Sequence, residues 1–172
     1  MDPGMLLTRA TAVVGFVAYV IALLPGAYAA RTPISRVWWT LGCVVFVIHV
    51  ICAFHFIHHW SHADAYASTA RQTYELAGIN WGGGVYFNYV FTALWVIDVV
   101  WWWSSSPSHQ RRPRAITYAL HGFMLFMWFN GTVVFGNGVA RWMGVAAFVL
   151  LGVLWWRQRL HEVKRKAAKQ QR

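Results

Sequence analysis

The chain has 172 residues, of which 58% are hydrophobic and only 12% charged, with twelve tryptophans and a formal net charge of +10. Soluble domains carry about 25% charged residues, so a soluble fold of this size cannot hide its apolar groups and a lipid phase is the simpler home. The cationic excess does not indicate nucleic acid. The charges lie in short loops and a tail, where they serve as topology signals and contacts for anionic lipid head groups.

About 20 apolar residues cross a bilayer, and five stretches qualify. The first runs from about residue 10 to 30, between Arg9 and Arg31. The second covers 37–59, the third 84–103 with Asp98 inside it, and the fourth 115–136. The fifth, 139–156, is short and obliges Arg141 to snorkel to the interface. A basic tail follows over 157–172. The expected fold class is an all-α integral membrane protein, with five transmembrane helices in a bundle.

With the N-terminus outside, twelve of the fifteen Lys and Arg residues fall in cytoplasmic loops or the tail, and only Arg9, Arg71 and Arg141 lie outside. The positive-inside rule selects this orientation. Tryptophans favour membrane interfaces and agree with it. Trp38, Trp39, Trp101, Trp102, Trp103, Trp155 and Trp156 fall at the inner interface, Trp60, Trp81 and Trp142 at the outer one, and Trp95 and Trp128 within spans. The expected location is a bacterial inner membrane, with the C-terminus cytoplasmic.

The longest loop joins the second and third spans. Ser61 followed by Asp64 reads as a helix N-cap, Arg71 and Glu75 stand at i, i+4, and Gly78 can end the helix. A short interfacial helix on the outer surface is expected, followed by a flexible lead-in at Gly82, Gly83 and Gly84. Cys43 and Cys52 share one apolar segment and point in opposite directions, so they cannot bridge each other.

The segment His55-Phe-Ile-His58-His59-Trp-Ser-His62 places four histidines within an arc of about 100° on a continuous helix. That face can offer several imidazoles to one zinc, copper or iron ion. Asp64, Glu75 and Tyr86 are the candidate additional ligands. The His55-x-x-His58-His59 spacing resembles one histidine box of the membrane desaturases and hydroxylases, over these five residues; no second box is present. Asp98 inside a span needs a partner, and His121 at similar depth is the expected one. His49 and His121 are candidate axial ligands of a haem b, an arrangement similar to the small membrane cytochromes. Asn88 and Asn130, with Tyr86 and Tyr89, can close a polar pocket beneath the histidines.

The expected function is thus a histidine-rich metal site at the outer membrane face, with a redox role open. The alternatives are a haem b electron-transfer subunit and a non-catalytic membrane subunit or anchor of a larger complex. Lipid is the expected partner in every case.

Overall fold

A computed structural model describes residues 2–24 and 32–170, and among these every regular element is a helix. Helix α1 spans Pro3–Leu23. Asp2 caps it by accepting from the Met5 N–H at 3.1 Å, and Pro3 fills a first-turn position that needs no amide donor. The helix therefore starts at Pro3 rather than Ala10, and Arg9 lies within it. The far end expected for this span, residues 25–30, lies outside the described residues.

Helix α2 spans Pro33–Cys52, capped by Thr32, whose Oγ1 accepts from the Ser35 N–H at 3.2 Å. It continues as one π turn over Ala53–Ile57. The chain then reverses into α3, His62–Ala77. Asp64 N–H donates to Ser61 Oγ at 3.1 Å, and Gly78 ends the helix with φ +72°. The N-cap and stop read from the sequence are both in place. Arg71 and Glu75 lie on α3, but no ion pair between them is among the described contacts.

The glycine lead-in is not a flexible one. Gly82 and Gly83 are buried. A Cβ on Gly82 would strike the Tyr66 carbonyl, and one on Gly83 would strike the Trp81 indole. Glycine is required here so that the chain can pass under α3.

Helix α4 spans Gly84–Ser104, and the five-residue α5 spans Ser106–Gln110. Helix α6 spans Arg114–Phe129 and continues as a second π turn over Asn130–Val134. Helix α7 spans Gly138–Gln170 without a break, so the basic tail is the end of the last helix. Four helical stretches are long and apolar enough to cross a membrane: Pro3–Leu23, Pro33–Ile57, Gly84–Ser104 and Gly138–Arg165. The fourth expected span is not among them. Its regular part has 16 residues, and His121, Trp128 and Asn130 lower its hydropathy.

The core is aromatic. Phe46 and Phe91 meet edge-on at 4.7 Å, Trp39 and Trp95 at 5.3 Å, and Phe16 and Trp128 at 5.1 Å. Such pairs contribute about 0.5–1.5 kcal/mol each beyond their burial. Trp39 and Trp102 belong to this interior, at 0% and 1% exposure. They are core residues and not part of an interfacial belt. Trp60, Trp81, Trp103, Trp142, Trp155 and Trp156 are exposed, as a belt requires.

At one end of the bundle the Arg36 guanidinium lies 4.0 Å from the centre of the Trp103 ring, and the Trp103 indole donates to Thr40 at 2.9 Å. These contacts fix the start of α2 against the end of α4. The opposite end carries His55 to His62 and the N-terminus of α1.

Candidate ligand cavity and buried charge cluster

The four histidines do not share a face. The π turn ends at His58, and His59 and Trp60 then take positive φ values of +48° and +60°. This reverses the chain and starts α3 at His62. The one-face expectation required α-helix throughout 55–62, and the reversal removes it. Each ring turns to a different neighbour. The Trp60 indole donates to His55 at 3.3 Å, His58 pairs with Asp64 at 3.3 Å, and His62 shares hydrogen bonds with the hydroxyls of Tyr89 (2.9 Å) and Tyr86 (3.4 Å). His59 is exposed. Of the candidate additional ligands, Asp64 and Tyr86 each meet one histidine. Glu75 lies thirteen residues beyond His62 on α3, about 20 Å away. Among the described residues no group of three or more His, Cys, Asp or Glu side chains is placed to hold one metal ion.

Beneath this turn the helices line a half-open cavity of about 430 Å³. Its walls are largely apolar and aromatic, with Phe16, Phe46, Phe91 and Trp128 among them. Polar groups from several elements also line it: Arg9 of α1, His49 of α2, His58, Asn88 and Tyr89 of α4, and Asn137 before α7. Asn88 and Tyr89 thus sit where a polar pocket was expected. Asn130 does not line it and instead donates to the Phe126 carbonyl of its own helix at 2.7 Å.

His49 and His58 are nine residues apart, yet both line this cavity. At about 100° per residue an uninterrupted α-helix would put them on opposite faces. The π turn between them carries i→i+5 hydrogen bonds and rotates less per residue. It therefore swings His58 back toward the face of His49. Both rings are held in the same way. His49 Nδ1–H donates to the Thr8 carbonyl at 2.8 Å, and His58 Nδ1–H donates to the Asp64 carboxylate at 3.3 Å. Neither acceptor can donate, so each imidazole held neutral keeps its Nε2 as a hydrogen-bond acceptor. Neither Nε2 has a protein partner among the described residues, and neither is sealed from open space.

A second polar group lies toward the Trp103 end. Asp98 and His109 pair at 3.2 Å, and the Arg112 guanidinium donates to the same carboxylate oxygen. The His109 and Arg112 side chains are 0% exposed and that of Asp98 is 4%. The short α5 turns the chain back so that His109 stacks on Trp102 at 4.6 Å with the rings 11° apart. Arg112 also donates to Thr117 at 3.0 Å. His109 and Arg112 bond Asp98 directly, and His121, the expected partner, also lies near enough to act on its charge. His121 packs edge-on against Trp39 at 5.2 Å. His109 is not among the residues that the sequence singles out, and Arg112 reads there as a loop cation. The available signal was an intramembrane carboxylate followed within fourteen residues by a histidine and an arginine.

The same geometry separates the two haem candidates. His49 lines this cavity, and His121 lines another of about 450 Å³. Between them runs a continuous series of ring contacts: His49 to Phe46 at 5.5 Å, Phe46 to Trp95 at 5.8 Å, Trp95 to Trp39 at 5.3 Å and Trp39 to His121 at 5.2 Å.

No family model, curated protein or solved structure matches this chain.

Proposed function

We propose that this is an integral membrane protein of five spans, N-terminus outside, that binds a lipid-soluble ligand in the cavity at the histidine end of the bundle. The observation that carries the reading is the cavity itself, about 430 Å³ with aromatic walls and polar groups converging from several helices. Ligand sites have this character: mostly apolar, with a few placed polar groups that fix orientation. The distribution of Lys and Arg puts the cavity in the outer half of the bilayer, where a lipid-soluble molecule is at hand. The span beyond the four long helices is the segment Arg114–Val134, the fourth in chain order. Its length is completed by the π turn, and its Trp128 packs on Phe91 of α4 at 5.8 Å.

This reading is favoured over a four-histidine metal centre because three of the rings hold different partners and His59 is exposed. It is favoured over a passive anchor because an anchor needs no cavity lined by fixed polar groups.

The test is native mass spectrometry of the protein released from mild detergent, comparing wild type with Ala53→Phe and Ala12→Phe. Both alanines line the cavity. Wild type is expected to retain one small lipid-soluble molecule per chain, and the filled variants to lose it while their melting temperature is maintained. A bare wild-type chain, or equal retention in the folded variants, overturns the reading.

A further inference from the structure

We infer that the ligand of this cavity carries a hydroxyl head group, a phenol or alcohol on an apolar body, which donates its hydrogen to His58. This rests on the cavity being a ligand site and adds the chemistry of what it selects.

The inference comes from how the two imidazoles are held. A carbonyl oxygen and a carboxylate each occupy an Nδ1–H, at 2.8 Å for His49 and 3.3 Å for His58. Both rings therefore keep Nε2 as an acceptor, and both residues line the same cavity. A donating ligand supplies each acceptor with the hydrogen bond that the protein does not. A ligand with only an ether or carbonyl oxygen offers no hydrogen to either nitrogen. A carboxylate would set its charge against two lone pairs, and Arg9, the one Lys or Arg lining the cavity among the described residues, is itself exposed.

His58 is the better placed of the two. Its Nδ1–H is held by the Asp64 carboxylate, an acceptor that cannot donate, which fixes the tautomer and leaves Nε2 to accept. Asp64 is itself fixed, since its backbone N–H donates to the Ser61 cap at 3.1 Å. The cap of α3 thus fixes the backbone at Asp64, whose carboxylate holds the imidazole of the cavity-lining His58. Asn88 and Tyr89, on the α4 side of the same cavity, add groups that can donate to the hydroxyl oxygen.

The experiment uses three probes with one apolar body: 4-nonylphenol, its methyl ether 4-nonylanisole, and 4-nonylbenzoate. Each is titrated calorimetrically into the full chain in lipid nanodiscs, with uptake by empty discs subtracted. Wild type is expected to bind the phenol about tenfold more tightly than the ether, the scale of one good hydrogen bond, and more tightly than the benzoate. His58→Phe keeps the ring volume and is expected to abolish the preference while still binding the ether. Asp64→Asn is the second variant, because Asp64 is 46% exposed and its replacement leaves the fold intact. It is expected to reduce the preference several-fold.

Equal binding of phenol and ether overturns the inference and leaves the cavity reading standing. So does a preference unchanged in both variants. Tighter binding of the benzoate overturns it too, because the histidines would then be acting as donors. Failure of all three probes to bind overturns the cavity reading with it.

Discussion

Asp98 and Arg112, fourteen residues apart in sequence, form an ion pair in which the arginine side chain is 0% and the aspartate side chain 4% exposed. An isolated carboxylate inside a bilayer is costly, and this chain offsets the cost with its own loop. Ser105 and Pro107 start the one-turn α5, Pro113 separates it from α6, and the turn folds His109 and Arg112 back onto α4. An arginine that sequence logic counts as an interfacial anchor becomes part of the core.

Breaking that pair is expected to be among the most damaging changes in the molecule. Arg112→Gln leaves Asp98 buried without its cation, and Asp98→Asn leaves Arg112 in the reverse position. Each is expected to lose about 3–5 kcal/mol, the usual penalty for stranding one buried charge. The double change Asp98→Leu with Arg112→Met removes both charges and is expected to recover most of that loss. Unfolding in mixed micelles, monitored by tryptophan fluorescence, measures all three. A double variant as unstable as either single one would show that the cluster does more than neutralise itself.

Helix α2 approaches α1 and α4 at Gly42. A Cβ there would lie 2.9 Å from the Trp95 ring and 3.4 Å from the Tyr19 backbone nitrogen. Trp95 is 0% exposed and packed by Trp39, Phe46 and Phe91, so it has nowhere to move. Gly42→Ala is therefore expected to destabilise by about 1–3 kcal/mol, the range for overpacking a filled core. Helix propensity alone would predict a gain from the same change. The sign of the shift in melting temperature decides between them.

The histidines near the turn divide into two kinds, and their substitutions are expected to divide likewise. His55 and His59 are exposed, and neither lines the cavity. Replacing both with alanine is expected to change stability by less than about 0.5 kcal/mol and to leave ligand occupancy as it was. His49→Leu removes the tie from α2 to the Thr8 carbonyl of α1 and is expected to weaken both stability and occupancy. If the exposed pair proves to be the sensitive one, the site lies on the surface and the cavity is incidental.

The parts of this architecture visible in the sequence are those set by composition and by local capping. Long apolar runs mark most of the helices, and Ser61 and Gly78 delimit α3 correctly. The candidate site was less visible because it depends on departures from regular geometry. A histidine wheel drawn at 100° per residue cannot include a π turn followed by two positive-φ residues. It gathers His55, His58, His59 and His62 and separates His49 from His58, where the folded chain does the reverse. The glycine run has the same lesson: Gly82 and Gly83 suggest freedom in sequence, while Tyr66 and Trp81 pack against them in the fold. Trp39 and Trp102 were assigned to the interface by position alone, and packing takes them inside.

The orientation of the chain gives a last prediction, on which the placing of the cavity depends. Cys43 and Cys52 are both buried, so changing each to alanine gives a background for single reporter cysteines. Asn80→Cys puts a reporter in an exposed stretch between α3 and α4, at the histidine end. Val163→Cys puts one on the exposed far part of α7, where the native side chain is 64% accessible. With the N-terminus outside, a membrane-impermeant maleimide added to intact cells is expected to label the Asn80→Cys variant at once and the Val163→Cys variant only after permeabilisation. Labelling of the Val163→Cys variant alone in intact cells would invert the molecule and put the cavity in the inner leaflet. Labelling of both would mean an even number of spans between these sites, which would remove α6 from the membrane and open one wall of the cavity.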